Sequence, residues 1–150
     1  MQRNKAKKEL ISFIKEELRM IRQLSLEIAK CRGNTNISRR AKGSILHDFY
    51  NACERIFEFI AREINGGISS AEHWHKKLLH QMTIEVKGLR PAVVSKKLAA
   101  GLDEYLAFRH LFRNIYGFEL ESERLDRLAE NFNKIVSQFS REIKGFIAKL

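Results

Sequence analysis

One short segment of the chain concentrates side chains that suit phosphate chemistry. Residues 108–120 read FRHLFRNIYGFEL and contain Arg109, His110, Arg113, Asn114 and Tyr116. Guanidinium groups pair with the non-bridging oxygens of a phosphodiester, and an imidazole transfers protons near neutral pH. A tyrosine stacks on a base or donates to a phosphate. These residue types therefore indicate a candidate site for a phosphodiester.

Arg109 lies within an apolar helical stripe. Residues 95–118 have helical periodicity, and their stripe consists of Leu98, Leu102, Tyr105, Phe112 and Ile115. At about 100° per residue, Arg113 and Tyr116 lie roughly 40° and 20° from Arg109. A guanidinium is almost never buried without partners. Two interpretations stay open: a functional cleft, or a buried ion-pair network that joins Arg109 and Arg113 to carboxylates of neighbouring helices.

The other candidates for chemistry are weaker. His73, His75 and His80 surround Trp74, but two residues turn a helix by about 200°, so His73 and His75 diverge. The di-iron bundle pattern needs Glu-x-x-His on two helices, and the sequence has it once, at Glu72–His75, so we predict no metal and no cofactor. His75 is expected to be a polar neighbour of Arg109, and Trp74 an anchor in a core or an interface. The sequence has no phosphate-binding glycine loop and no nucleophile elbow.

Apolar periodicity predicts an all-α, up-and-down bundle of about five helices in a single domain, residues 1–150. Ser38 and Ser95 are the expected N-caps of the second and fourth helices. Asn65-Gly66-Gly67 ends the second helix, and residues 87–91 form a connector. The predicted helices cover approximately residues 5–31, 38–64, 69–86, 95–116 and 122–150.

The chain is strongly basic, with a formal net charge of +10 over 150 residues. Residues 1–42 contain 12 Lys and Arg but only four Glu. Such a surface attracts a phosphate backbone or an acidic partner, although a solvated helix face explains the charge equally well. With two cysteines, no signal peptide at the start of the sequence and no membrane-spanning stretch, we expect a reduced, cytoplasmic protein.

At these residues the chain resembles the HEPN superfamily, and within it the HepT-like proteins. Their signature is an Arg followed by a polar residue, a His several positions later and, in this branch, a Tyr two residues beyond. Arg109, His110 and Tyr116 match this pattern, while Asn114 occupies the position of the His. The segments WHKKLLHQM and GLRPAVVSKKLAAGLDEYLAFRHLFRNIYGFEL extend the resemblance over roughly residues 70–128.

The resemblance implies a homodimer whose motif helices face each other across a cleft, so the apolar stripe is expected to face a second subunit. It implies metal-independent RNA cleavage by attack of a 2′-hydroxyl on the adjacent phosphate. It also implies a minimal nucleotidyltransferase antitoxin as partner, which can modify the motif tyrosine, here Tyr116. Arg109 and Arg113 would then bind the scissile phosphate, and His110 would transfer the proton.

Asn114 departs from the signature, because an amide is not a general acid or base at neutral pH, and such catalysis is typically worth about 10²–10⁴-fold. We favour a HepT-like toxin with endoribonuclease activity, in which His110, one turn earlier on nearly the same face, replaces the missing His and Asn114 orients the substrate. The alternatives are a catalytically weak or inactive subunit that binds a nucleotidyltransferase, and a general basic RNA-binding bundle.

Overall fold

The computed structural model describes residues 2–67, 72–114 and 122–150. Over these ranges the chain forms six helices and no β-strand, which confirms the all-α prediction. The helices are α1 (Gln2–Ile28), α2 (Asn36–Ile64), α3 (Trp74–Gln81), α4 (Lys96–Asn114), α5 (Ser122–Glu130) and α6 (Phe132–Ala148). None of them is long and apolar enough to span a membrane.

The two long helices α1 and α2 run antiparallel. Near the middle of α1, Phe13 stacks on Phe59 in the last two turns of α2, with ring centroids 4.6 Å apart. One turn further along α1, Glu17 accepts hydrogen bonds from Arg55, which lies one turn earlier on α2, with the shorter contact at 2.9 Å. The residue numbers rise on one helix and fall on the other, as in an up-and-down bundle.

The last helix packs back along the first in the opposite direction. Lys7 donates to the carbonyl oxygen of Leu150 at 2.5 Å, and Ser25 donates to Asn133 Oδ1 at 2.6 Å. The start of α1 therefore contacts the end of α6, and the end of α1 contacts the start of α6. This antiparallel contact brings the two termini of the described chain together.

Helix α4 is fixed at its start by the predicted N-cap. Ser95 Oγ accepts from the backbone N–H of Leu98 at 3.0 Å, and the carboxylate of Glu142 on α6 accepts from Ser95. Two turns later α4 approaches α6 closely, since a Cβ at Gly101 would lie 3.1 Å from Ile135 Cδ1. The cap and the glycine contact together set the register of α4 against α6.

The apolar stripe of α4 is buried inside one subunit. Leu98, Leu102 and Tyr105 are at most 2% exposed, and α4 packs against α2 and α6. Phe49 on α2 makes edge-to-face contact with Tyr105, with ring centroids 5.4 Å apart. The expectation that this stripe faces a second subunit is therefore wrong for these turns, because the bundle already covers them.

The third helix is shorter than predicted. It ends at Gln81 rather than near residue 86, and a buried arginine explains why. Arg90 donates to the carbonyl oxygens of Gln81, Ile84 and Pro91 and to Asn65 Oδ1, at 2.9–3.1 Å. These bonds hold residues 82–91 as a folded loop. The buried guanidinium of Arg90 therefore stabilises the connector between α3 and α4. At the other end of α3, His73 has a left-handed backbone with φ of 61°. A right-handed helix cannot continue through such a residue, so α3 cannot begin before Trp74.

Further boundaries differ from the prediction, and α1 begins and ends about three residues earlier than expected. Thr35, not Ser38, caps α2, because its hydroxyl accepts from the N–H of Ser38 at 3.1 Å. The predicted fifth helix is interrupted at Asn131 and forms α5 and α6. The described ranges therefore contain six helices instead of the five predicted. The Asn131 side-chain amide donates to the carbonyl oxygen of Arg127 at 3.0 Å, a local bond of the kind that disturbs a helix interior.

Candidate functional site

Arg109 forms a buried ion pair with Glu54. The two residues are 3% and 5% exposed, and they join the middle of α2 to the last turns of α4. Arg109 Nη1 donates to Glu54 Oε1 at 2.9 Å, and Nη2 donates to Oε2 at 3.4 Å. Nη1 also donates to Asn51 Oδ1 at 2.9 Å. This is the buried-network interpretation of Arg109, with the carboxylate supplied by a neighbouring helix.

An aromatic ring completes the lining of the guanidinium. Arg109 Cζ lies 5.0 Å from the centroid of the Tyr50 ring, within the range of a cation–π contact. Burial raises the pKa of the Tyr50 phenol well above its usual value, and the charge of Glu54 adds to the shift. The phenol is therefore neutral, and its oxygen is buried without a hydrogen-bond partner among the described residues.

His75, from α3, extends this cluster towards the surface. Its Nδ1 lies 2.9 Å from both carboxylate oxygens of Glu54 and 3.0 Å from Arg109 Nη2. Trp74 covers one face of the imidazole, with ring centroids 3.7 Å apart. The His75 side chain is 35% exposed, against 7% for Glu54. The structure thus brings His75 to Arg109, as expected from the sequence.

The remaining sequence-predicted site residues lie around the end of α4. His110 is exposed on α4, on the turn that contains Arg109. Arg113 and Asn114 close the helix, but their side chains lie outside the described part of the chain, as does Tyr116 altogether. Arg113 follows Arg109 by four positions and therefore shares its face of the helix. In the described ranges, no three His, Cys, Asp or Glu side chains are grouped as metal ligands.

Sequence reasoning missed Glu54, although the signal was present. Glu54 lies on the apolar face of α2, at helical spacing from Tyr50, Phe57 and Ala61, and all four are buried. This is the same pattern, a charge within an apolar stripe, that identified Arg109 on α4. A search for the opposite charge in an apolar stripe of another helix would have paired the two residues.

A basic groove lies between α1 and α6, away from the Arg109 cluster in sequence. We define it by its exposed basic residues, which are Lys15, Arg19, Arg22, Arg141 and Lys144. No Asp or Glu lines this groove among the residues the structure describes. One of these basic residues, Arg19, pairs with a carboxylate at the rim, that of Glu16 at 2.7 Å. The basic segment predicted from residues 1–42 is therefore continued by α6.

The fold and the buried arginine on α4 define a small all-α bundle of the HEPN type. The chain belongs to the HepT-like family: the family profile, described as HepT-like protein, matches residues 41–150. The match runs from early α2 to the end of α6 and leaves α1 outside it. No curated protein and no solved structure matches the chain significantly.

Proposed function

We propose that this chain is the toxin subunit of a HepT-like toxin–antitoxin pair and that it cleaves RNA without a metal ion. One observation carries the proposal. Arg109, which matches the signature arginine of the family, is the centre of a fixed polar cluster whose imidazole, His75, reaches the surface. A cluster with a cation and an imidazole suits a reaction in which a phosphodiester is bound and a proton is transferred.

The roles of the site residues follow from their accessibility. Because Glu54 and Asn51 occupy the guanidinium of Arg109, Arg109 positions the cluster and contributes charge to it. We assign the direct phosphate contact to Arg113, one turn further along the same face. On the adjacent face, His110 is a candidate for proton transfer and Asn114 for orienting the substrate.

The proposal includes three partners. A homodimer would bring the ends of two α4 helices together, with Arg113, Asn114 and Tyr116 near the contact. The basic groove between α1 and α6 would bind the RNA backbone through its excess of positive charge. A minimal nucleotidyltransferase would act as antitoxin, with Tyr116 as the residue it modifies.

An RNase assay on the free protein tests the function. The purified chain, without its antitoxin and with EDTA present, is expected to cut single-stranded RNA and to leave a cyclic phosphate end. Arg113→Gln should abolish cutting, whereas Arg62→Gln, an exposed arginine on α2, should not change it. A free wild-type protein that leaves the RNA intact would contradict the enzymatic proposal.

A second candidate function is a non-catalytic subunit that binds the nucleotidyltransferase. Two observations favour it: Asn114 stands at the position of the signature His, and Arg109 is ion-paired with Glu54 inside the subunit. Asn114→His separates the two candidates. If the wild type is inactive and Asn114→His gains RNase activity, the fold is competent and the natural chain is the non-catalytic subunit.

A further inference from the structure

The arrangement of Glu54 and His75 determines which nitrogen of the imidazole carries the proton. A carboxylate oxygen only accepts hydrogen bonds, and Nδ1 lies 2.9 Å from both oxygens of Glu54. The ion pair with Arg109 keeps Glu54 in its carboxylate form. Nδ1 therefore carries the proton and donates to Glu54. Arg109 Nη2 also lies 3.0 Å from Nδ1. Because the guanidinium is only a donor, a proton on Nδ1 leaves this approach as a packing contact rather than a hydrogen bond.

This assignment leaves Nε2 as the accepting nitrogen of neutral His75. The side chain is 35% exposed and Nδ1 faces the buried carboxylate, from which we infer that the opposite edge of the ring, with Nε2, reaches solvent. Trp74 holds one face of the imidazole. The groups facing His75 are thus Glu54 from α2, Arg109 from α4 and Trp74 from its own helix. A carboxylate that fixes the tautomer and orientation of a histidine in this way is a recurrent arrangement in general-base catalysis.

We propose that His75, oriented by Glu54, is the general base of this site and supplies the proton transfer for which the sequence has Asn114 instead of histidine. The proposal rests on the proposed ribonuclease function and assigns its proton acceptor. His75 is the proposed catalytic residue, while Glu54 and Arg109 are positioning residues. It differs from the sequence-based expectation, which gave this role to His110 on α4.

The reaction step balances without any co-reactant other than water. His75 Nε2 takes the proton of the RNA 2′-hydroxyl as the 2′-oxygen attacks the adjacent phosphorus. The new O2′–P bond gives a 2′,3′-cyclic phosphate, and the P–O5′ bond breaks. The departing 5′-oxygen takes a proton from water, and the imidazolium later returns its proton to solvent.

Single-turnover cleavage of a short RNA, measured from pH 5 to 9, tests the assignment. His75→Gln is expected to lower the rate by about 10²–10⁴-fold with little change in RNA affinity, and to remove the rising limb of the pH profile. His80→Gln, the matched variant at an exposed histidine of the same helix, is expected to keep both. Circular dichroism confirms that each variant is folded.

A second measurement does not depend on any variant. Nitrogen-15 NMR of the wild-type protein should show neutral His75 with its proton on Nδ1; a proton on Nε2 overturns the assignment. Active wild type with an equally active His75→Gln and an unchanged pH profile overturns it as well, and leaves the proposed function intact. A wild type without RNase activity removes the proposed function, and this inference with it.

Discussion

Arg109 on α4 and Glu54 on α2 form an ion pair that is sealed inside a single subunit, with Arg109 Nη1 donating to Glu54 Oε1 at 2.9 Å. The two side chains lie at matching places, each a charge on an otherwise apolar helical stripe. Burying either one alone is strongly unfavourable, so each accounts for the presence of the other. The pair also fixes where Asn51 and His75 meet α4.

Glu54→Gln tests the energetic importance of this pair. The change leaves the charge of Arg109 buried and without a carboxylate. We expect the free energy of unfolding to fall by about 3–5 kcal/mol, measured by urea denaturation. The combined change Glu54→Leu and Arg109→Met removes both charges, and it should recover most of this loss because a buried pair is often replaceable by apolar side chains of similar size.

Glu16→Gln is the matched control for Glu54→Gln. Glu16 also pairs with an arginine, Arg19, but both side chains are more than half exposed. Exposed pairs are worth little, so the expected change in the free energy of unfolding is small beside that of Glu54→Gln. Similar losses for Glu16→Gln and Glu54→Gln would show that burial does not strengthen the dependence of Arg109 on its partner.

Tyr50→Phe should leave stability unchanged or increase it. The Tyr50 hydroxyl is buried without a partner among the described residues, while its ring packs against the guanidinium of Arg109. Phenylalanine keeps the ring contact and removes the unsatisfied oxygen, for a gain of up to about 1 kcal/mol. Tyr105→Phe is the control, since the Tyr105 hydroxyl donates to the carbonyl oxygen of Leu128 at 2.7 Å. It should lose about 1 kcal/mol in the same urea titration, and a larger loss for Tyr50→Phe would contradict the expectation.

The sequence predicts the helices well because apolar spacing and caps are local signals. Ser95 and Asn65 placed the start of α4 and the end of α2 within one residue of their observed positions. The end of α3 could not be predicted, since it depends on Arg90 reaching back to carbonyl oxygens several residues away. Such a contact exists only after the connector has folded.

The candidate site was predicted only in part, because some of its residues have local sequence signals and others meet only through helix packing. Arg109 is conspicuous because it interrupts a stripe on its own helix. Glu54 is 55 residues away, and His75 lies on a third helix, so their meeting is a property of helix packing. The sequence named His75 as a neighbour of Arg109 but contained no local sign that Glu54 would orient its ring.

Stability should decrease as the solution becomes alkaline. Burial raises the pKa of the Cys53 thiol and of the Tyr50 and Tyr105 phenols. The folded chain therefore keeps protons that the unfolded chain releases above about pH 8.5 for cysteine and about pH 10 for tyrosine. The unfolded state then binds fewer protons, so the free energy of unfolding falls by up to about 1.4 kcal/mol per pH unit for each group.

Urea titrations between pH 6 and 11, under reducing conditions, measure this fall in stability. The contribution of these three groups to the free energy of unfolding should be constant below about pH 8 and should decline above it. Cys53→Ala should remove the part of the decline that begins near pH 8.5, whatever its cost in packing at neutral pH. A wild-type protein that gains stability between pH 9 and 11 would contradict the assignment of these three groups.

RNA binding should depend on salt through the basic groove between α1 and α6. Arg22 and Arg141 lie on opposite sides of this groove, one on each helix. For single-stranded RNA, the slope of log affinity against log salt changes by about 0.7 for each phosphate contact. The double variant Arg22→Gln and Arg141→Gln should therefore reduce the slope by about 1.4, measured by fluorescence anisotropy from 50 to 300 mM salt.

The double variant Arg62→Gln and Lys87→Gln removes the same charge from exposed sites outside the groove, and it should keep the wild-type slope. Equal slopes for the two double variants would mean that net charge, rather than the groove, attracts the RNA.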